Sequence, residues 1–344
     1  MEGVRNIFVT GGAGFIGSAF VRLVLEELPR ARVVNFDALT YAGNLDNLRG
    51  VSGERHRFVR GDICDPAAVL SSLDEGTDYL VNFAAESHVD RSIHSAAEFV
   101  RTNVLGTQVL LDAARERKVG RVLHVSTDEV LGSLPEQDDA YFTEDSPFAP
   151  NSPYSASKAA AEHLCRAAHH THGLDVVVTR CGNNYGPRQF PEKFLPLLLA
   201  NASRDEPVPV YGDGLNVRDW IYVEDHCRAV LLATLKGAPG AVYNIGARNE
   251  RRNLEVVKSI LTALDKPHSL IRFVKDRLGH DRRYAIDPSK AERELGWQPR
   301  ETWESGIRKT IQWYEENGEW IRRARSGAYR EYYARHYGTE VGAR

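Results

Sequence analysis

Short apolar runs alternate along the chain with longer stretches in which apolar residues recur at helical spacing. The apolar runs predict strands at residues 7–10, 32–36, 79–83, 121–126 and 176–179. The stretches between them predict helices at 15–28, after Pro66, at 96–117 and from about Tyr154. Because the strand and helix patterns alternate, they indicate βαβ units and therefore a parallel sheet.

The pattern changes after Pro187, where proline and glycine become frequent between shorter elements. A helix pattern at 224–236 and a strand pattern at 241–245 are apolar enough to rejoin the first sheet. We therefore predict an α/β fold with a Rossmann-type doubly wound parallel sheet and a smaller C-terminal α/β lobe. The predicted boundaries are 1–187 plus about 223–247 for the sheet domain, about 188–222 and 248–330 for the smaller lobe, and 331–344 for a tail.

Composition excludes several classes of function. The chain has 344 residues, of which 42% are hydrophobic and 26% charged, and its formal net charge is −3. This balance gives no overall field for binding nucleic acid or an anionic membrane. No apolar run approaches the length of a spanning helix, about 18 residues, and the N-terminus lacks a secretory pattern. We expect a cytoplasmic protein.

The cysteines and histidines do not predict a metal site. The four cysteines are far apart and form no C-x-x-C pair; they are Cys64, Cys165, Cys181 and Cys227. This spacing is typical of reduced thiols rather than of a disulfide framework or a zinc knuckle. A histidine cluster at 169–172 lacks a matching set of carboxylates, so we expect no bound metal.

A glycine-rich turn follows the first predicted strand, and a helix pattern follows the turn. Such glycines allow close approach of backbone N–H groups to a pyrophosphate, although a turn that only packs a helix is the alternative. Asp37 ends the second strand, where a carboxylate binds ribose hydroxyls and repels a 2′-phosphate, so we predict NAD rather than NADP. The predicted cofactor-binding residues are Gly11, Gly14, Phe15, Ile16, Gly17 and Asp37, with Asp62 and Ile63 beside the adenine.

Two further groups of residues provide acid, base and phenol chemistry. Tyr154 and Lys158 are one helical turn apart, so they share a face, and a nearby ammonium favours tyrosinate. Thr127, Asp128 and Glu129 end an apolar run. Adjacent residues within a strand point to opposite faces, so both carboxylates reach one site only where the chain leaves the sheet. A surface Tyr/Lys pair and a solvated acidic strand end are the alternatives.

Longer motifs connect these residues and carry a resemblance to known proteins. The chain resembles the extended short-chain dehydrogenase/reductases that act on nucleotide sugars in the segments 11–17, 82–85 (Asn-Phe-Ala-Ala) and 154–158 (Tyr-Ser-Ala-Ser-Lys). Within that group it is similar to the dTDP-glucose 4,6-dehydratases, in the segments 41–44, 86–92, 126–130, 183–187, 190–193, 218–220 and 279–283. The resemblance extends to about Trp313.

The resemblance implies a reaction in which NAD is reused. Tyr154, with Lys158 beside it, takes the proton of the C4 hydroxyl of dTDP-glucose as NAD oxidises C4, and Thr127 bonds the C4 oxygen. Glu129 then removes the C5 proton and Asp128 protonates the departing C6 hydroxyl. Reduction at C6 leaves a 4-keto-6-deoxy sugar. Adjacent carboxyls suit these two roles because their repulsion separates their pKa values.

The resemblance also implies the residues that bind the nucleotide sugar, and a homodimer in which the Tyr154 helix packs across a twofold axis. Ala84, Tyr154 and Lys158 join the cofactor-binding residues. The implied substrate-binding residues are Ser87 and Asn183 for the sugar and phosphates, Glu192, Lys193, Pro209 and Tyr211 for thymidine, and Arg218, Asn253, Arg277 and His280 for the diphosphate and ribose. Paired guanidinium donors suit phosphate oxygens, and a tyrosine ring suits a base.

Three positions depart from the family pattern: Leu131 replaces a tyrosine, Arg188 an aromatic residue and Leu278 a proline. None of them removes a catalytic group.

The alternatives to this function are another nucleotide-sugar 4,6-dehydratase, an epimerase or decarboxylase on the same scaffold, and a non-catalytic NAD-binding sensor. The adjacent acid pair argues against an epimerase, which needs neither C5 deprotonation nor loss of the C6 hydroxyl.

Overall fold

The computed structural model describes residues 4–51, 53–136 and 139–324, so the predicted tail at 331–344 lies outside it. The strands are β1 (Asn6–Thr10), β2 (Arg32–Asp37), β3 (His56–Arg60), β4 (Tyr79–Asn82), β5 (Arg121–Thr127), β6 (Val176–Cys181), β7 (Asn183–Tyr185), β8 (Val208–Tyr211), β9 (Val217–Tyr222), β10 (Val242–Ile245), β11 (Glu250–Arg252) and β12 (Ile271–Val274). The α-helices are α1 (Phe15–Glu27), α2 (Pro66–Ser72), α3 (Val89–His94), α4 (Ala96–Phe99), α5 (Gly106–Glu116), α6 (Pro153–His172), α7 (Phe194–Ala202), α8 (Val223–Lys236), α9 (Asn253–Ala263), α10 (Ser289–Leu295), α11 (Trp303–Glu316) and α12 (Gly318–Ala324).

Seven strands form one parallel sheet in the order β10-β6-β5-β4-β1-β2-β3. The strand order reverses between β1 and β4, which is where doubly wound folds bind ligands. Every residue of β6 is buried, as expected for a parallel strand covered by helices on both faces. The predicted Rossmann-type fold is thus confirmed, and the strand predicted at 241–245 rejoins the sheet beside β6.

The smaller lobe contains a three-stranded sheet in the order β11-β9-β7 and the strand pair β12-β8. Its core combines aliphatic side chains with an aromatic cluster, in which the Tyr185 and Trp303 rings are 5.1 Å apart and Trp220 packs beside them. Strand β7 starts two residues after β6 ends. The lobe is therefore attached directly to the carboxyl edge of the large sheet. The division of the chain into two domains at the predicted boundaries stays a prediction.

The helix predicted at 96–117 is interrupted by a π-helical turn at Val100–Leu105 between α4 and α5. Within this turn Asn103 is buried, accepts the N–H of Glu86 (2.9 Å) and donates to the hydroxyl of Ser157 (2.8 Å). The wide turn thereby ties α6 to the loop after β4. Among the described helices, none is long and apolar enough to cross a membrane.

Candidate active site

One cleft runs along the carboxyl ends of the central strands, at the point where the strand order reverses. It is lined by every predicted catalytic and cofactor-binding residue and by three of the predicted substrate-binding residues. These are Thr127, Asp128, Glu129, Tyr154 and Lys158; Gly11, Gly14, Phe15, Ile16, Gly17, Asp37, Asp62, Ile63 and Ala84; and Ser87, Asn183 and Lys193. The fold thus brings together residues from across the first 193 positions.

The glycine-rich turn brings the backbone of β1, the loop after β4 and the start of α1 into close contact. Gly11 has φ +70°, and a Cβ there would lie 2.6 Å from the backbone nitrogen of Ala84. A Cβ on Gly17 would lie 2.2 Å from the carbonyl oxygen of Gly11. No side chain among the described residues caps the start of α1, so its first N–H groups are available to an anion. This arrangement fits a dinucleotide pyrophosphate.

Replacing Gly17 by alanine tests the fit of this turn. The new methyl group forces the turn away from α1, so we expect the affinity for NAD to fall about tenfold or more. Gly318→Ala is the matched control, because Gly318 lies outside the cleft and a Cβ there would meet no atom of the described residues within 4 Å. Calorimetric titration with NAD measures both variants. Equal affinities of Gly17→Ala and the unmodified protein would show that close packing of the turn is not required.

The carboxylate of Asp37 is anchored in the cleft beside the glycine-rich turn. Its two oxygens accept the backbone N–H groups of Ala13 (2.9 Å) and Leu39 (2.8 Å), and burial raises its pKa. It therefore stays beside the glycine-rich turn, where it suits ribose hydroxyls and not a 2′-phosphate. Asp62 accepts from the guanidinium of Arg101 at 2.9 Å. Arg101 lines the cleft as well, although no pattern in the sequence had selected it.

Strand β5 ends at Thr127, and a 3₁₀ turn then spans Asp128–Leu131. The hydroxyl of Thr127 accepts the backbone N–H of Glu129 at 3.3 Å and lies 3.3 Å from the carboxyl of Asp128. The prediction that the acid pair lies where the chain leaves the sheet is confirmed. Because the turn breaks the alternation of the strand, both carboxyls line the same cleft.

The two carboxyls differ in their electrostatic surroundings. Burial and the neighbouring Glu129 carboxylate raise the pKa of Asp128 well above its usual value. Burial also raises the pKa of Glu129, but the cations of Arg277, Arg218 and Lys193 act against that rise. Asp128 is thus the group that keeps its proton, and Glu129 is the one that gives it up more readily.

Tyr154 and Lys158 lie in the first turns of α6, which begins with a capping box between Ser152 and Ser155. Burial and the charge of Glu129 raise the pKa of Tyr154 well above 10, while a hydrogen bond with Thr127 lowers it. Burial lowers the pKa of Lys158 to about 8. The protein's own groups therefore favour the phenol, whereas the one-turn spacing of Tyr154 and Lys158 predicts tyrosinate.

The remaining predicted substrate-binding residues do not line this cleft, and most of them lie in the smaller lobe. They are Glu192, Pro209, Tyr211, Arg218, Asn253, Arg277 and His280. Two of them meet at Asp90: Tyr211 donates to its carboxylate at 3.2 Å, and Arg277 lies 3.8 Å from it. The ring of His280 is 6.3 Å from that of Tyr211.

Arg218 and Arg277 are linked to the acid pair by charge, since both act on Glu129. Glu192 is 5% exposed and accepts from Arg91 at 2.8 Å, and Lys193 donates to the carbonyl of Ser87 at 2.9 Å. Pro209 lies on β8, and the N–H of Asn253 bonds the carbonyl of Asn216 at 2.9 Å. These contacts do not place Pro209 or Asn253 beside the acid pair.

Other polar residues at the site were not selected from the sequence. Asp90 and Arg91 belong to the motif at 86–92, but no pattern in the sequence indicates a role for them. The guanidinium of Arg91 lies 3.9 Å from the ring centroid of Tyr41. His124 is buried within β5 and contacts Lys158. In the sequence, the only indication of His124 is a polar residue between apolar neighbours in a predicted strand.

Comparisons with known proteins agree over nearly the whole chain. The family model of GDP-mannose 4,6 dehydratase matches residues 8–310. The dTDP-glucose 4,6-dehydratase of Xanthomonas campestris pv. campestris (strain B100) is 54% identical over 343 residues, which cover 94% of this chain and 96% of that protein.

Solved structures agree in fold. The dTDP-glucose 4,6-dehydratase of Streptomyces venezuelae, crystallised with NAD and dTDP, matches with a TM-score of 0.90 and 49% identity over 93% of this chain and 99% of that one. The UDP-glucose 4-epimerase of Thermus thermophilus, in complex with NAD, matches with a TM-score of 0.82 and 30% identity over 91% of this chain and 99% of that one. With these matches, the chain belongs to the family of the dTDP-glucose 4,6-dehydratases.

Proposed function

We propose that the protein is an NAD-dependent hydro-lyase that converts dTDP-glucose to dTDP-4-keto-6-deoxyglucose. The observation that carries this proposal is the turn after β5, which directs Asp128 and Glu129 into the cleft that also holds Tyr154 and Lys158. An epimerase on the same scaffold needs the phenol and the lysine but has no use for two adjacent carboxyls.

The first step uses the residues at the start of α6. NAD, when bound, supplies the acceptor for the C4 hydride and later its donor to C6, and its positive charge favours tyrosinate. Tyr154 removes the proton of the C4 hydroxyl, and the hydroxyl of Thr127, which bonds Tyr154, holds the C4 oxygen. The new C4 carbonyl makes the C5 proton acidic.

The second step uses the acid pair. Glu129, whose carboxylate is favoured by Arg277, Arg218 and Lys193, removes the C5 proton. Asp128, which keeps its proton because it is buried beside Glu129, gives it to the C6 hydroxyl, and water leaves. The difference between the two surroundings supports this assignment of base and acid, because the neighbouring carboxylate raises the pKa of Asp128 further, whereas three cations oppose the rise for Glu129.

We assign the nucleotide to the smaller lobe and the cofactor to the domain of the large sheet, 1–187 plus about 223–247. Arg218 and Arg277 supply guanidinium groups for the diphosphate, and Tyr211 supplies an aromatic ring for the base. Arg218 is only 4% exposed, and its guanidinium lies 4.3 Å from the ring centroid of Tyr284. Such a fixed position suits recognition of a phosphate at one defined point.

A homodimer in the cytoplasm is part of the proposal. Val100 and Leu105, in the π-helical turn that contacts α6, are 54% and 50% exposed, which supports burial of this face in a second copy. All four cysteines are free thiols, which supports a reducing compartment. Light scattering coupled to size-exclusion chromatography measures the mass, and a particle of monomer mass would rule out the dimer.

Product analysis tests the proposed activity. We expect dTDP-glucose to yield a 4-keto-6-deoxy sugar without added oxidant or reductant. UDP-glucose serves as the comparison for the nucleotide, and UDP-glucuronate tests for release of carbon dioxide. Unchanged dTDP-glucose despite bound NAD would favour a sensor, and carbon dioxide from UDP-glucuronate would favour a decarboxylase.

A further inference from the structure

The side chain of Asn47 joins the C-terminal helix α12 to the glycine-rich turn. Asn47 is 1% exposed and lies in a 3₁₀ turn, Leu45–Leu48, between β2 and β3. Its Nδ2 donates to the carbonyl of Ala13 at 2.9 Å. Its Oδ1 accepts the indole N–H of Trp320, in α12, at 2.9 Å. One buried carboxamide thus connects segments from the two ends of the described chain.

The partners of Asn47 fix the orientation of its carboxamide. An indole N–H can only donate and a backbone carbonyl can only accept, so Oδ1 faces Trp320 and the NH₂ group faces Ala13. The flipped amide would set two donors against each other at Trp320 and two acceptors against each other at Ala13. The link from α12 to the glycine-rich turn is therefore a directed pair of hydrogen bonds.

Ala13 is fully buried within the glycine-rich turn, just before α1 begins. Its N–H donates to the carboxylate of Asp37 at 2.9 Å. Its carbonyl accepts two donors, the backbone N–H of Asn44 at 3.0 Å and the amide of Asn47. Because both ends of this residue are bonded, the point from which α1 starts is fixed, together with the N–H groups that a pyrophosphate would meet.

The indole of Trp320 is held by the core of the smaller lobe. Trp320 is 7% exposed, and its ring centroid lies 5.2 Å from that of Trp313 and 6.2 Å from that of Tyr314. These rings belong to or pack against the apolar cluster of that lobe. The indole N–H therefore approaches Asn47 from a defined position, and the lobe assigned to the nucleotide supports the turn that fits the cofactor.

We propose that Asn47 and Trp320 are positioning residues for NAD. The indole N–H holds the carboxamide, and the carboxamide holds the carbonyl of Ala13 at the start of α1. Neither residue lines the cleft, so both act through Ala13. Their effect falls on the ADP half of NAD, since a glycine-rich turn before a helix binds the pyrophosphate. The role rests on NAD binding and not on the reaction proposed above.

Three variants isolate the link. Trp320→Phe removes the indole N–H and keeps an aromatic ring in the lobe core. Asn47→Ala removes both hydrogen bonds and introduces no new polar group. Trp303→Phe is the matched control, because Trp303 is 4% exposed in the same core and its indole N–H donates to Ser259 at 3.3 Å, away from the cleft.

Calorimetric titrations of the full-length protein with NAD and with ADP-ribose measure the effect. We expect the Kd of both ligands to rise about three- to tenfold in Asn47→Ala, the value of one net hydrogen bond, and by a smaller factor in Trp320→Phe. Trp303→Phe should bind both ligands as the unmodified protein does. Thermal unfolding without ligand should show similar decreases of Tm in the two tryptophan variants, so lost stability alone does not explain a difference in affinity.

Unchanged affinity for NAD in Asn47→Ala would overturn the proposal. So would equal losses in Trp320→Phe and Trp303→Phe, or a loss that appears with NAD but not with ADP-ribose. If Trp320→Phe does not fold, Asn47→Ala decides by itself, because Arg22 bonds the backbone carbonyl of Asn47 at 2.7 Å and keeps the 3₁₀ turn in place. A protein with the predicted affinities that leaves dTDP-glucose unchanged would refute the proposed function and keep the role of the link.

Discussion

Glu129→Gln is expected to oxidise the sugar at C4 but to stop before water is lost. The glutamine amide keeps the shape of the side chain but cannot take the C5 proton, so elimination should slow by about 10²- to 10⁴-fold. Single-turnover experiments should show reduced cofactor that forms and then persists. In deuterated water, the C5 position of the recovered sugar should gain no deuterium.

Glu75→Gln is the matched control for this substitution. Glu75 is 62% exposed, pairs with Lys118 at 2.7 Å and lies outside the cleft, so the same chemical change there should leave every step intact. Deoxy sugar formed by Glu129→Gln at the rate of this control would show that another group removes the C5 proton.

Asp128→Asn is expected to lose dehydration of glucose by a similar factor, because an amide cannot protonate a departing hydroxyl. A substrate with fluoride in place of the C6 hydroxyl does not need that proton. Asp128→Asn should therefore eliminate fluoride at a rate much closer to that of the unmodified protein, which an ion-selective electrode measures. Equal losses with both substrates would mean that Asp128 serves another purpose.

The pH dependence of the same two substrates gives an independent check. The pKa of Asp128 is raised, and the group acts only when protonated, so dehydration of glucose should decline as pH rises through that pKa. Elimination of fluoride by the unmodified protein should lack this decline. A decline shared by both substrates would assign it to a different group.

The sequence predicted the parts of the fold that depend on local pattern. Apolar periodicity located the alternating strands and helices of the large sheet, and the strand that rejoins it at 242–245. The period-two geometry of a strand was enough to place Asp128 and Glu129 in a turn at its end. These predictions depend on neighbours a few residues apart, which the sequence displays directly.

Features that depend on distant contacts were not predicted. In the π-helical turn, Asn103 makes its hydrogen bonds to Glu86 and Ser157, which are 17 and 54 positions away in the sequence. Local periodicity does not reveal such contacts. The high pKa of Tyr154 results from burial by the completed fold, which the spacing of Tyr154 and Lys158 does not reveal.

The three residues that depart from the family pattern differ in burial and in the side chains around them. Leu131 is 2% exposed and packs in an apolar cluster with Val130, Ala159 and Ile286. Arg188 has φ +69°, and its guanidinium lies 5.3 Å from the ring centroid of Trp313. Leu278 is 73% exposed. None of the three lines the cleft that holds the acid pair, which agrees with the expectation that they leave the catalytic groups intact.

The most direct measurement of the central claim uses dTDP-glucose that carries deuterium at C4 and is mixed with substrate that carries carbon-13 and no deuterium. A transient C4 carbonyl that permits loss of water predicts 4-keto-6-deoxy sugar with the deuterium at C6 of the same molecules that brought it. Product that has lost the deuterium to solvent, or that carries it in the carbon-13 molecules, would contradict the account.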